Sequence, residues 1–138
     1  MAETPQNKSQ NEAALLEIFN RWSKAVRDED IAAIRANHDP DMLMFDVPPP
    51  FQSHGINAYT ETWKLFYSSV PKPVKFDFDS IQIHTGEDVA FLSAVGHCRY
   101  STPSGEIVPL DFRLTMGFHK RDGRWMIVHE HHSVPSVD

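Results

Sequence analysis

Apolar positions change period along this chain, and the change divides it into helices and strands. From residue 9 to residue 27 they recur at helical spacing. Leu15, Ile18, Phe19, Trp22 and Val26 share one face, while Glu17, Arg21, Lys24 and Arg27 share the other. Ser9 followed by Glu12 forms a capping box, which predicts a helix starting there and leaves residues 1–8 as a disordered tail. Asp28-Glu29-Asp30 caps a second, short helix that buries Ile31 and Ile34 and is kept short by Pro40. A third helix follows Gly55, with Asn57 as its cap and Tyr59, Trp63 and Phe66 on its buried face. Elsewhere the period is two. Met42–Val47 reads as a strand closed by Pro48-Pro49-Pro50, with Met42, Met44 and Asp46 on one side. In Lys75–His84 the parity shifts: Phe76 and Phe78 are even-numbered, Ile81 and Ile83 odd. One extra residue near Asp79-Ser80, a β-bulge, reconciles them. Val89–Tyr100 is the next strand.

Two long runs, Ile107–His119 and Arg124–His132, flank Lys120-Arg121-Asp122-Gly123, and Asp-Gly between β-rich runs is a strong hairpin signal. A two- or four-residue loop puts Phe112, Leu114, Met116 and Phe118 on one face with Trp125, Ile127, His129 and His131. A three-residue loop exchanges the partners, because the side-chain period is two. On the favoured register an apolar wall turns polar at His129 and His131, as the lining of a small-molecule pocket does. The other face carries Asp111, Arg113, Thr115 and Gly117 with Met126, Val128, Glu130 and His132.

The length of 138 residues fits one domain over residues 9–135, and 41% apolar residues is ordinary globular composition. A net charge of −6 without a Lys/Arg cluster argues against nucleic acid or an anionic membrane as partner. No run has the length of a membrane span and residues 1–10 are polar, so neither an anchor nor a signal peptide is expected. The single Cys98 reads as a small buried hydrophobe, and a cytoplasmic, reducing compartment is expected. Helices gathered early and antiparallel strands later make an α+β fold with the helices on one face of the sheet.

This order, with Arg121-Asp122-Gly123-Arg124-Trp125 and His129-Glu130-His131-His132-Ser133, resembles the nuclear transport factor 2-like superfamily, and within it the SnoaL-like and ketosteroid-isomerase-like members. Met44-Phe45-Asp46-Val47-Pro48-Pro49 is similar to that family's first strand. The resemblance covers about residues 10–135. It implies a conical barrel, a strongly curved, mainly antiparallel sheet packed on three N-terminal helices around a pocket. It also implies a homodimer formed through the outer face of the sheet.

By that resemblance Asp46 matches the carboxylate base of ketosteroid isomerase. A carboxylate in an apolar cavity is pushed toward the basicity that proton abstraction needs. Read from its residues alone, Asp46 fits equally well as a strand-end aspartate accepting backbone N–H bonds. Trp22 stands where ketosteroid isomerase has a tyrosine, and Asp111 falls too early for its second acid. Ketosteroid isomerase activity itself is therefore not expected. His129 and His131 emerge ~7 Å apart on one strand. They could serve as a proton shuttle with Asp46 or as donors to a ligand, or be satisfied in the core. A metal would need a third ligand from His84, His97 or His119 and is not expected, nor is an organic cofactor. The candidate ligand-contacting residues are Trp22, Met44, Tyr59 and Trp63 from the first half, and Phe112, Leu114, Met116 and Trp125 from the hairpin. Two functions remain open. One is a small-molecule pocket protein, or a cofactor-independent enzyme of isomerase, lyase or hydrolase type with Asp46 as base. The other is a non-catalytic assembly or ligand-binding module, like the association domain of calcium/calmodulin-dependent kinases.

Overall fold

The computed structural model describes residues 3–70 and 73–137. Helix α1 spans Pro5–Arg27, starting before the capping box. Thr4 is the cap: its hydroxyl accepts the Asn7 N–H at 3.1 Å, and Pro5 fills a first-turn position where no N–H is needed. Glu3 accepts from Asn11 Nδ2 at 2.7 Å and from Thr85 Oγ1 at 2.8 Å, so residues 3–8 of the expected tail are structured. Met1 and Ala2 of that tail lie outside the described residues. Helix α2, Ile31–Arg35, is capped by the Asp30 carboxylate on the Ala33 N–H and buries Ile34. Helix α3, Ile56–Ser69, starts at Gly55 and not at Asn57. Gly55 has φ +92°, a turn into the helix that glycine adopts without strain, and no side chain caps it.

The described residues also form six strands: β1 His38–Phe45, β2 Ser53–His54, β3 Lys75–Thr85, β4 Val89–Ser101, β5 Ile107–Arg121 and β6 Arg124–Ser133. They form one sheet in the order β2-β1-β6-β5-β4-β3. All neighbours are antiparallel except β1 and β6, which run parallel, so the sheet is mixed and does not close. The expected α+β architecture stands, with a curved sheet over three N-terminal helices. Strand β1 begins upstream of the expected Met42 and passes through Pro40, within the irregular register between His38 and Leu43 that spares the proline a ladder bond. The bulge expected in β3 lies between Asp79 and Gln82, with Ser80 at φ +54°. The hairpin closes Arg121 on Arg124 through Asp122 and Gly123, both at positive φ, a two-residue turn whose twist matches its strands.

Between helices and sheet lies the core. Leu15, Phe19, Trp22 and Val26 of α1 are buried with Leu92, Leu114, Met116, Phe118 and Ile127 of the sheet. Cys98 is buried as expected, and burial pushes its thiol up to about 11 against the pull of Arg99. No helix among the described residues is long and apolar enough to cross a membrane.

Candidate functional site

Strand β5 keeps one parity, and Phe112, Leu114, Met116 and Phe118 all point inward, as expected. Strand β6 does not. Phe118 pairs with Ile127, but the next pair is Gly117 with His129, leaving Val128 unpaired as a bulge. The extra residue reverses the alternation. Trp125 and Ile127 face in before it, Glu130 and His132 after it. His129 and His131 consequently stand on the outer face, which corrects their expected place in the pocket. There they flank the Phe45 ring at 4.9 and 5.3 Å, and His129 Nδ1–H donates to the Leu43 carbonyl at 2.7 Å. Glu130 leaves the face it was expected to share with Arg113 for the same reason, and Arg113 donates to Ser133 Oγ.

Turned inward, Glu130 has no exposed side-chain surface and lies between two histidines. His38 Nε2 is 2.5 Å from Oε2, and His132 Nε2 is 2.9 Å from Oε1. Burial alone would raise the Glu130 carboxyl. The hydrogen bonds from His132 and His38, with their charges, outweigh it and hold the group at about 2. His132 is the mirror case: burial opposes its charge, but Glu130, and at longer range Asp46, raise its pKa above the ordinary value of 6.5. Tyr59 closes the network from α3. Its ring lies 4.6 Å from that of His38, and its hydroxyl accepts the Trp22 indole N–H at 2.9 Å. Burial, then the nearby Glu130 charge, keeps that phenol well above its ordinary range.

The far side of His132 borders a cavity of about 720 Å³ between α3, the 46–54 loop and the inner face of the sheet. Its walls are mainly apolar and aromatic, with Trp63, Phe66, Phe76 and Phe112 among them. Asp46 and His132 both reach it, and no lysine or arginine lines it among the described residues. Asp46 also behaves as a strand-end aspartate, for its Oδ1 accepts the Val47 N–H at 2.8 Å. Pro48-Pro49-Pro50 form one wall of the mouth. The Trp63 indole N–H is buried, and the Tyr59 hydroxyl is the polar group it approaches.

Of the expected ligand contacts, Trp63 and Phe112 line this cavity. Trp22, Met44, Tyr59, Leu114, Met116 and Trp125 do not, because each is packed into the core. Asp111 lies on the outer face, where Arg99 at 2.8 Å and His97 at 3.0 Å hold its carboxyl below the usual range. Among the described residues no cluster of three or more His, Cys, Asp or Glu side chains is arranged to hold a metal ion. The sequence reading missed His38, Glu130 and His132. One cue was present: Val134, packed on the core, is even-numbered, whereas Trp125 and Ile127 are odd.

Packing fixes the His132 ring as firmly as its hydrogen bond does. It stacks on Phe112 at 5.8 Å and 5° between planes, and Phe112 lies over Gly96, where an added Cβ would come within 2.4 Å of the ring. Gly96→Ala is therefore expected to cost about 1–3 kcal/mol and to shift the His132 ring resonances. Urea unfolding and NMR would check both, and a variant matching the wild type in both would show that the glycine does not confine the stack.

A family model described as the SnoaL-like domain matches residues 15–136. Solved structures similar to this chain include a nuclear transport factor 2-like protein of unknown function from Pseudomonas putida KT2440, at 29% identity and TM-score 0.83. That match covers 92% of this chain and 88% of the other. A ketosteroid isomerase-like protein from Erwinia carotovora atroseptica is 17% identical with TM-score 0.76, over 91% of this chain and 96% of the other. An uncharacterized protein with a cystatin-like fold from Caulobacter vibrioides is 18% identical with TM-score 0.78, over 92% and 91%. The last two likenesses speak to the fold alone. No curated protein matches the chain.

Proposed function

The chain belongs to the SnoaL-like domain family, and on that footing we propose that it is an enzyme moving a proton on a small, uncharged, ring-bearing molecule. The observation that carries this reading is His132, gripped from behind by the buried Glu130 and open in front to an apolar cavity that it shares with Asp46. A base oriented by a buried carboxylate is how proton abstraction is arranged in many unrelated sites. Here His132 Nε2–H donates to Glu130, which leaves Nδ1 to take a proton from the substrate. The Asp46 carboxylate stabilises the imidazolium that forms, and Nδ1 returns the proton at a neighbouring atom. The result is an isomerisation, or an elimination if a leaving group departs. Side chains alone perform these steps, so the proposal calls for no organic cofactor. The role expected of His129 and His131 thus passes to His132, and Asp46 keeps a place beside it.

Lining chemistry narrows the ligand. Four aromatic rings favour a flat skeleton. Among the described residues no lysine or arginine lines the cavity and Asp46 does, which disfavours a carboxylate or phosphate.

The test pairs a thermal-shift screen of neutral ring-bearing ketones and alcohols, against carboxylate counterparts of similar size, with deuterium uptake into each hit in heavy water. Neutral hits should stabilise the fold by mass action and exchange a proton. His132→Gln and Asp46→Asn should each slow that exchange about 10²-fold or more. Hits that bind without exchanging in the wild type would overturn the enzymatic reading.

We also propose that two copies pair through the outer face of the sheet. Phe91, 48% exposed and stacked on His84 at 4.7 Å, lies there with Phe45, Val95 and Val128. Light scattering should give a dimer mass that Phe91→Lys reduces to that of one chain; a monomeric wild type would end this proposal.

A further inference from the structure

A neutral imidazole carries one N–H, yet both ring nitrogens of His38 face acceptors. Nδ1 lies 3.0 Å from the Ala36 carbonyl oxygen, which can only accept, and Nε2 lies 2.5 Å from Glu130 Oε2. Two hydrogens are therefore needed where a neutral ring has one. The second sits between Nε2 and Oε2, and its owner is decided by the carboxylate. Glu130 accepts a further hydrogen bond from His132 on its other oxygen and, as described, holds its proton weakly. A hydrogen held by the nitrogen makes the pair, both side chains fully buried, an imidazolium and a carboxylate whose charges cancel within the core.

We infer that His38 is a buried imidazolium that offsets the Glu130 charge and so tunes how readily His132 takes a proton, which makes it a positioning residue for the proposed chemistry. The inference deepens the acid–base reading of His132 and rests on that reading for its catalytic meaning. Its physical reason is balance. A lone Glu130 carboxylate beside His132 would favour a permanently charged His132, which is useless as a base. With His38 behind it, the carboxylate still orients the ring through Nε2–H but attracts a second proton less strongly. The other groups around His132 are few. Tyr59 from α3 and Cys98 from β4 are both held neutral by burial. Asp46 after β1 faces it across the cavity, with His54 of β2 and Glu61 of α3 elsewhere in the lining.

The test is an NMR titration of the His132 ring in wild type and His38→Gln, which keeps a donor to Glu130 but removes the charge. The His132 midpoint should move upward by about one pH unit in the variant. If His38 were neutral, the exchange would leave that midpoint where it is, and an unchanged midpoint in a folded variant overturns the inference. Nitrogen spectra of wild-type protein serve where the variant fails to fold. In the folded protein the His38 ring should show two protonated nitrogens, and a single neutral tautomer overturns the inference equally. Neither readout needs a substrate. Loss of the proposed activity with these shifts present would sink the enzymatic reading alone, and their absence would sink this one alone.

Discussion

Replacing Glu130 with alanine is expected to cost about 3–5 kcal/mol of stability, the range seen when one partner leaves a buried ionic network. Among the described residues the carboxylate is the sole acceptor for His38 Nε2 and His132 Nε2, and none of the three side chains is more than 9% exposed. Without it, two ring N–H groups lose their acceptor among the rings of Trp22, Tyr59 and Phe112. An exposed pair provides the scale. Arg21 and Glu17 on α1 are 67% and 59% exposed, and removing their contact should cost only about 0.3–0.5 kcal/mol. Urea unfolding of the two single variants would check the contrast. A Glu130→Ala protein within about 1 kcal/mol of wild type would mean that the histidines find other partners and that the network is weaker than its geometry.

The second large effect is on pH. Glu130 drops from an ordinary 4.5 to about 2 on folding, so the stability it contributes is complete above 4.5 and disappears as the pH falls from there toward 2. His132 moves the other way. Its folded value is raised above 6.5, so its contribution is complete below 6.5 and is lost as the pH climbs through that raised value. The network should accordingly stabilise the fold most between about 4.5 and 6.5, with a decline on either side. Urea midpoints across that range should trace the dome, and Glu130→Gln should flatten both slopes, since each depends on the same carboxylate. A Glu130→Gln profile parallel to wild type would place the pH dependence in other groups.

The two bulges explain how far the fold and the site were legible. In β3 the sequence announces its bulge, because Phe76 and Phe78 conflict in parity with Ile83 and only an extra residue lets all three meet the core. In β6 the residues after Val128 are Glu and His, which carry no apolar code, so alternation counted outward from the Asp122-Gly123 turn runs on unchecked and selects His129 and His131. The helices were legible through their apolar stripes, but their starts were not. Thr4 with Pro5, and Gly55 by its backbone alone, cap more effectively than the Ser9 and Asn57 signals. Asp46 was legible because a strand end and three prolines mark it. His38 was not: its partner lies 92 residues away, and nothing local to it predicts a buried charge.

Strand β6 is read in two frames. One is set by the turn and ends at Ile127; the other is set by the parallel neighbour, which aligns Met44 with Glu130 and Phe45 with His131. Val128 is the spacer between them. A chain that lost this single residue would still bring Glu130 and His132 inward, on a regular ladder, whereas losing His131 would turn His132 out of the cavity. Length variation is thus silent at one point of the strand and ruinous three residues later, so the spacing from turn to site is a poor guide to the site residues, and their pairing with β1 is a good one.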